Sequence, residues 1–447
     1  MLGFVKNWFG HKANPIGVDF GTDSVKLAQV AFVNGEWRLV AAATADVPSL
    51  VRNDPLARIT FLANTTRDLI AQGGFHGRAA VLALPAASMF IQHLRLAKMD
   101  EDELKKALPW EVRGKIPIDP THAVLRHHIA GTVYLEQEEK YEVVAMAASR
   151  DLVNQLLDAA IKARLDIAGI NVEPQAIVDC FSHIYRRKTD ADATSCFVDI
   201  GCAGARAVIA RGAHILFARS IAVGGDHLTR AVAASLNMNF DEAKLLRLRL
   251  SALQPSPTDI QQKQQIAPQP EPEETDELAA LAGPLGAALN AAKHAAAYLP
   301  ERRSSSIALL EPPPPPADPQ QPNDVRKPAS PAHQAALVEQ ASREPLDRLV
   351  QELDLCRRYY ESTFPNRPVD RLIFVGGEAK HKNLCQYVAR ELGLAAQVGD
   401  PLVRMGRVSN IGIDSGIDRR QPQPNWAVAI GLSLGPNSNA AKAAEST

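Results

Sequence analysis

The chain has 447 residues, 46% apolar and 22% charged, with a formal net charge of -1. That length can bury two or more cores and points to a two-lobed or multidomain soluble protein, and the near-neutral balance lacks the basic footprint of a nucleic-acid binder. Five scattered cysteines (Cys180, Cys196, Cys202, Cys356, Cys385) without a C-x-x-C pair argue against a disulfide framework or a structural zinc site and fit a reducing cytoplasm.

The opening "MLGFVKNWFGHKANP" has too short an apolar run for a secretory signal. Leu2, Val5, Trp8 and Phe9 share one helical face flanked by Lys6 and Lys12, the pattern of a short interfacial anchor over residues 1–12 or of a terminal helix packed on the protein's own sheet. Next comes "IGVDFGTDSVKLAQVAFVNGEW", in which apolar residues alternate on both sides of a corner holding Asp19, Gly21, Thr22 and Ser24, and Asn34-Gly35 marks a hairpin turn. The corner joins two strands, so it is neither a P-loop nor a dinucleotide fingerprint, which both run from strand into helix.

"VLALPAASMFIQHLRL" contributes two strand-like runs, and "DEDELKKALPWEVRGK" a helix opened by an Asp100/Glu103 capping box, with Leu104, Leu108 and Val112 on one stripe and a kink expected at Pro109. Trp110 and Met99 are read either as lining a partner groove or as core. "YEVVAMAAS" is a further strand before a helix from Asp151, and Glu173-Pro174 start another helix whose first turn holds a carboxylate.

The corner then recurs. Val18-Asp19-Phe20-Gly21 returns 180 positions later as Val198-Asp199-Ile200-Gly201, each between strands and each followed by a Gly-containing turn. A repeat so widely spaced means two similar lobes, not a solenoid. Facing corners would form a cleft of turn N–H groups, hydroxyls and two carboxylates, suited to a polyphosphate with its magnesium. Gly224-Gly225-Asp226 precede another helix, and the basic cluster Lys244, Arg247, Arg249 reads as a solvated helix face.

Residues 251–345 hold more than half of the 31 prolines, including "EPPPPPADPQQP", the composition of a disordered or polyproline insertion. Within them, Leu278 to Leu299 is too polar to span a membrane. Regular structure is expected to resume at Leu346, with Leu349, Val350, Leu353 and Cys356 on one helical stripe. "RLIFVGGEAKHKNLCQYVARELGL" reads as strand, Gly376-Gly377, then an amphipathic helix, the paired glycines allowing close approach of backbone to a ligand. The G-x-S-x-G match at Ser433 lacks the following acid and histidine of a nucleophile elbow, which leaves Ser433 as a helix residue.

The ordered set D-x-G-(T)-x-S, E-P-x-A, D-x-G, G-G-D and strand-G-G-helix, closed by "AVAIGLSL", resembles the actin-like ATPase superfamily, and within it the PilM family of type IV pilus assembly, from Met1 to about Leu250 and from about Leu346 to Leu434. The resemblance implies an α/β, bilobal actin-like ATPase fold with duplicated ribonuclease-H-like cores and an inserted FtsA/PilM-type α/β subdomain (an SHS2 domain). It divides the chain into a first lobe over 1–84, completed by about 169–190 and a C-terminal helix at about 425–438; the insert over 85–168; and a second lobe over 191–250 and 346–424. It implies ATP with Mg in the cleft: Asp19 and Asp199 for the metal, held through water, Gly21, Thr22 and Ser24 for the terminal phosphates, Gly201, Gly224 and Gly225 on the second side, Glu242 at the ribose, Gly376 and Gly377 on the adenosine side, and Glu173 positioning water. The second corner has Cys202, Ala203, Gly204 and Ala205 where relatives carry hydroxyls, so hydrolysis is expected to be slow or absent. The implied partners are the tail of a PilN-like inner-membrane protein, docked between the first lobe and the insert near the Leu104–Ile116 helix, and other pilus platform proteins, at the inner face of the cytoplasmic membrane. A small-molecule kinase or a filament-forming ATPase of the same superfamily are the competing readings.

Overall fold

The computed structural model describes residues 13–52, 54–85, 88–185, 192–252, 330–406 and 411–435. The amphipathic opening at 1–12 and nearly all of the Pro/Gln-rich segment lie outside them. Strands β1 (Ile16–Phe20), β2 (Ser24–Val33) and β3 (Glu36–Asp46) form a meander, turned between β2 and β3 by Asn34 and Gly35, both at positive φ (53° and 83°). This is the I′-type geometry that Asn-Gly favours. Helices α1 (Ser49–Arg52) and α2 (Pro55–Gln72) follow, α2 capped by the Asp54 carboxylate, and β4 (Ala79–Leu84) returns parallel to β1. With β8 (Asp166–Val172), the first sheet has the order β3-β2-β1-β4-β8.

The second sheet repeats that order as β11-β10-β9-β12-β13, from β9 (Thr194–Ile200), β10 (Ala205–Arg211), β11 (His214–Ile221), β12 (Arg371–Val375) and β13 (Ala396–Val398). In each sheet two antiparallel pairings precede two parallel ones. The duplication expected from the two corners is therefore a duplication of the whole sheet.

Between β4 and β8 sits the insert: β5 (Met89–Ala97), α3 (Glu101–Glu111), β6 (Ala123–Leu135), β7 (Glu138–Ser149) and α4 (Arg150–Lys162), with sheet order β5-β7-β6. The two strand-like runs at its start are thus divided, the first belonging to the first lobe. Asp100 accepts from the Glu103 amide at 2.8 Å, and Leu104, Leu108, Val112 and Ile116 close over β5 and β7. Pro109 lies in the last turn of α3, so its missing N–H costs one intrahelical bond, to Lys105 O, just before the helix ends.

Helix α5 (Glu173–Ser182) follows β8 and crosses the C-terminal helix α10 (427–435) closely enough that a Cβ on Gly431 would stand 1.8 Å from Ala176 O. Gly17 of β1 meets α10 in the same way, 2.0 Å from Ala429 O. The second lobe adds α6 (Gly225–Leu236), α7 (Phe240–Ala252), α8 (Pro331–Thr363) and α9 (Lys382–Leu392). The stripe Leu346, Leu349, Leu353, Cys356 is buried, but α8 begins at Pro331, so regular structure resumes 15 residues before the expected boundary. Its first turns are mostly exposed polar and alanine residues, which leave no strong apolar period to read. Among the described residues no helix is long and apolar enough to cross a membrane.

Candidate functional site

The two corners face each other across a cleft of about 670 Å³ lined by both lobes. In the first, Gly21 lets the chain turn back tightly, since a Cβ there would stand 2.9 Å from Ser24 O, and Arg58 of α2 anchors the turn through Gly21 O at 2.9 Å. Asp19 on β1 is the direct cross-strand partner of Lys26 on β2. In the second, Asp199 on β9 is the direct partner of Arg206 on β10. Directly opposed residues project from the same face of a sheet, so each corner presents one carboxylate and one cation, both pairs seven residues apart.

The two pairs are closed differently. Lys26 Nζ donates to Ser24 Oγ, and among the described residues it makes no ion pair. Arg206 instead bridges two carboxylates through Nη1, Asp199 and, at 2.9 Å, Glu173 at the start of α5. Burial alone would lower Arg206, but Asp199, Glu173 and Asp19 outweigh it and raise its pKa, so the guanidinium is held charged. Asp19 is pushed up, first by burial; Asp199 adds to this, while Lys26 and Arg206 oppose it.

Asp19, Gly21, Thr22, Ser24, Glu173, Asp199, Gly201, Gly376 and Gly377 all line the cleft. Gly376, at φ +90°, packs on the second corner, where a Cβ would stand 2.3 Å from the Asp199 carboxylate, whereas Gly377 faces open space. Three expected ligands fall elsewhere. Gly224 and Gly225 buttress the second corner: Gly225 N donates to Gly201 O at 3.0 Å and Asp226 N to Cys202 O at 2.8 Å, so these amides are engaged by the protein itself. Glu242 is exposed and caps α7, its carboxylate accepting from Asn239 N at 3.2 Å.

The residues that the sequence reading passed over are cationic. Arg247 is buried, not solvated, and reaches Gly225 O at 3.0 Å, Thr229 Oγ1 at 2.8 Å and Glu378 at 2.6 Å, with Leu248 beside it in the cleft wall. Lys244 pairs with Asp23 across the cleft at 2.8 Å. Lys380, in the turn after Gly377, is lowered by burial and by the nearby charge of Lys26. Two lysines close enough to repel each other in a desolvated cleft make a place for an anion. The available signal was the identical spacing Asp19–Lys26 and Asp199–Arg206, a cation seven residues after each corner aspartate.

The donor set fits phosphate and does not fit magnesium. The Asp199 carboxylate and Glu173 are held by Arg206, and among the described residues no group of three His, Cys, Asp or Glu side chains is placed to hold a metal ion. The Cys202 thiol, at the position of a lost hydroxyl, donates to Asp226 at 2.9 Å; its pKa is pushed up to about 12, chiefly by burial and then by Asp226.

Two sheets of one strand order closing on a shared cleft, with an α/β insert after the fourth strand of the first, define the actin-like ATPase fold. The chain belongs to the family described as type IV pilus assembly protein PilM, which it matches over residues 17–254. It also matches the cell division protein FtsA family over residues 196–431. Among solved structures it is similar to the PilM-PilN type IV pilus biogenesis complex, at 19% identity and a TM-score of 0.64, covering 94% of this chain and 98% of that one. Looser likenesses are the ethanolamine utilization protein EutJ from Carboxydothermus hydrogenoformans (12% identity, 95% and 89% covered, TM-score 0.45) and MreB5 of Spiroplasma citri bound to ADP (12%, 95% and 96%, 0.41).

Proposed function

We propose that this protein is a nucleotide-binding actin-like scaffold of the type IV pilus machine, working at the inner face of the cytoplasmic membrane and docking the short tail of a PilN-like membrane protein. The observation that carries the nucleotide reading is the cleft itself: Lys26 and Lys380 lie near each other between the duplicated corners, with no carboxylate bound to either among the described residues. An adenine nucleotide supplies the missing anion, its phosphates at the first corner and its base toward Gly377 and Leu248. The partner reading rests on family membership and on likeness to a chain solved in a PilM-PilN complex. The insert offers an exposed aromatic suited to such a tail: Trp110 is 69% exposed at the end of α3, with the Arg113 guanidinium 4.8 Å over its ring. Leu104, nominated with it from the sequence, is wholly buried in the insert and belongs to its core.

Hydrolysis is slow or absent in this reading, because Glu173 is ion-paired and the second corner carries a thiol and alanines. The same pairing disfavours the small-molecule kinase reading, since the acid that would serve as base at an acceptor hydroxyl has its carboxylate tied to Arg206. The test is the nucleotide released by denaturing gel-filtered protein, followed by steady-state turnover. Bound adenine nucleotide and a rate far below the roughly 10 s⁻¹ of dedicated enzymes are expected. A nucleotide-free protein that also fails to bind ATP in calorimetry would refute the nucleotide part.

A further inference from the structure

The corner pairs are equivalent by register, yet they hold different cations in different ways. In the first lobe the cation opposite the corner aspartate is a lysine leaning on a serine hydroxyl. In the second it is an arginine whose Nη1 joins Asp199 to Glu173, on the cleft wall facing Asp19. Asp199 and Glu173 meet there with Asp19 across from them, and a pair of corner carboxylates facing a polyphosphate would ordinarily be the reason for a divalent cation. The guanidinium already pairs with two of these carboxylates, Asp199 and Glu173, and arginine does not release its proton at any pH a cell reaches.

We infer that this cleft takes its nucleotide as a free polyphosphate anion, with the Arg206 guanidinium standing where a divalent cation would otherwise lie between the corner carboxylates and the phosphates. The inference rests on the nucleotide reading above and adds the ionic form of the ligand. Three things follow from the geometry. A magnesium ion placed between Asp19 and Asp199 would lie against a fixed positive charge in a cleft of reduced dielectric, where like charges repel strongly. The planar fork of arginine suits a phosphate oxygen as well as a carboxylate, so Arg206 can turn one N–H edge to the ligand while keeping Asp199 on another. Glu173 has its carboxylate engaged by Arg206 and not turned to a water, so the cleft retains nucleotide without activating water.

The test is calorimetric titration of the full-length protein with ATP, in EDTA and in magnesium chloride, with Mn²⁺ binding to the nucleotide-free protein followed by electron paramagnetic resonance. The wild type is expected to bind ATP in both buffers within about threefold and to show no tight Mn²⁺ site. Arg206→Ala, with folding checked by circular dichroism, is expected to lose about tenfold or more in EDTA, to regain affinity with magnesium, and to acquire a Mn²⁺ site. Arg206→Lys, which keeps the charge without the fork, should fall between them. Wild-type binding that collapses in EDTA, or a tight Mn²⁺ site in the wild type, would overturn the inference while leaving the nucleotide reading intact. A folded Arg206→Ala protein that binds free ATP like the wild type overturns it too. No binding in either buffer removes the nucleotide reading and this inference with it. The wild-type comparisons need no variant, so they decide the matter even if Arg206→Ala does not fold.

Discussion

Glu142, in the insert, accepts a hydrogen bond at 3.0 Å from the Tyr359 hydroxyl on the long helix of the second lobe. The same buried carboxylate meets His93 and Arg95 at 3.3 and 3.2 Å, and His93 stacks on Phe217 of β11 with 4.6 Å between ring centroids. One carboxylate thus ties the insert, which belongs to the first lobe by chain order, to the second lobe in space. Any change in how the lobes are arranged must carry the insert with it or break this cluster.

Glu142→Gln is expected to cost about 1–3 kcal/mol, the range for losing hydrogen bonds to a buried charged group, measured as a shift in urea midpoint. Burial alone would raise the Glu142 carboxyl, but its bonds to His93, Tyr359 and Arg95 hold it below the ordinary glutamate range. A depressed folded-state pKa contributes stability at neutral pH that is lost as pH falls through that range and below it. The wild type should therefore lose more stability on acidification than the variant, and parallel pH profiles would contradict this.

Asp19 has the opposite sign. Its raised pKa means that the folded state favours the protonated form, so its contribution is full below the ordinary aspartate range and is lost as pH rises through the raised value. Asp19→Asn should melt at a higher temperature than the wild type at pH near 7 and at a similar one below about 4. A neutral-pH melt in which the wild type outlasts the variant would show that the carboxylate is better compensated than this.

Ser433 is a structural stitch. Its hydroxyl donates to Pro15 O at 2.7 Å and accepts from Val30 N at 3.1 Å, joining α10 to β2 and to the segment before β1. Ser433→Ala should cost about 1–3 kcal/mol of unfolding free energy, because it leaves two buried backbone groups unpaired. ATP affinity should be unchanged, and a large loss of binding at unchanged stability would revive a direct role for this serine.

Trp110→Ser should preserve the fold and nucleotide binding while weakening a synthetic tail peptide of the PilN-like partner by tenfold or more, as removal of an aromatic anchor typically costs about 2 kcal/mol. Calorimetry with the peptide reads this directly. Leu104→Asp serves as the contrast, expected to unfold the insert. Peptide affinity unaffected by loss of Trp110 would place the docking surface elsewhere.

Deleting residues 255–325 should leave the melting transition and ATP binding intact, since a segment so rich in proline and glutamine has too little apolar surface to offset the entropy of ordering. The deletion must stop short of Pro331, where α8 begins. Loss of a cooperative melt would show that the segment is part of the fold.

The features legible in the sequence were those with local causes. Alternation marked the strands on both sides of each corner, Asn34-Gly35 their hairpin, and Leu346, Leu349 and Leu353 the buried stripe of α8, because period and turn chemistry act over a few residues. Duplication of Asp19 and Asp199 was enough to place two lobes around a cleft. What tertiary structure alone decided is which polar groups meet. Arg247 and Glu378 are 131 residues apart, and no periodicity tells that the arginine turns inward to that glutamate while Glu242, five positions before it, turns out to cap its own helix. Likewise, whether Arg206 faced solvent or closed on Asp199 and Glu173 depended on α5 delivering a carboxylate from the other lobe. Apolar patterns are encoded residue by residue, but charge partners are chosen by packing, and here that choice closes Arg206 on Asp199 and Glu173.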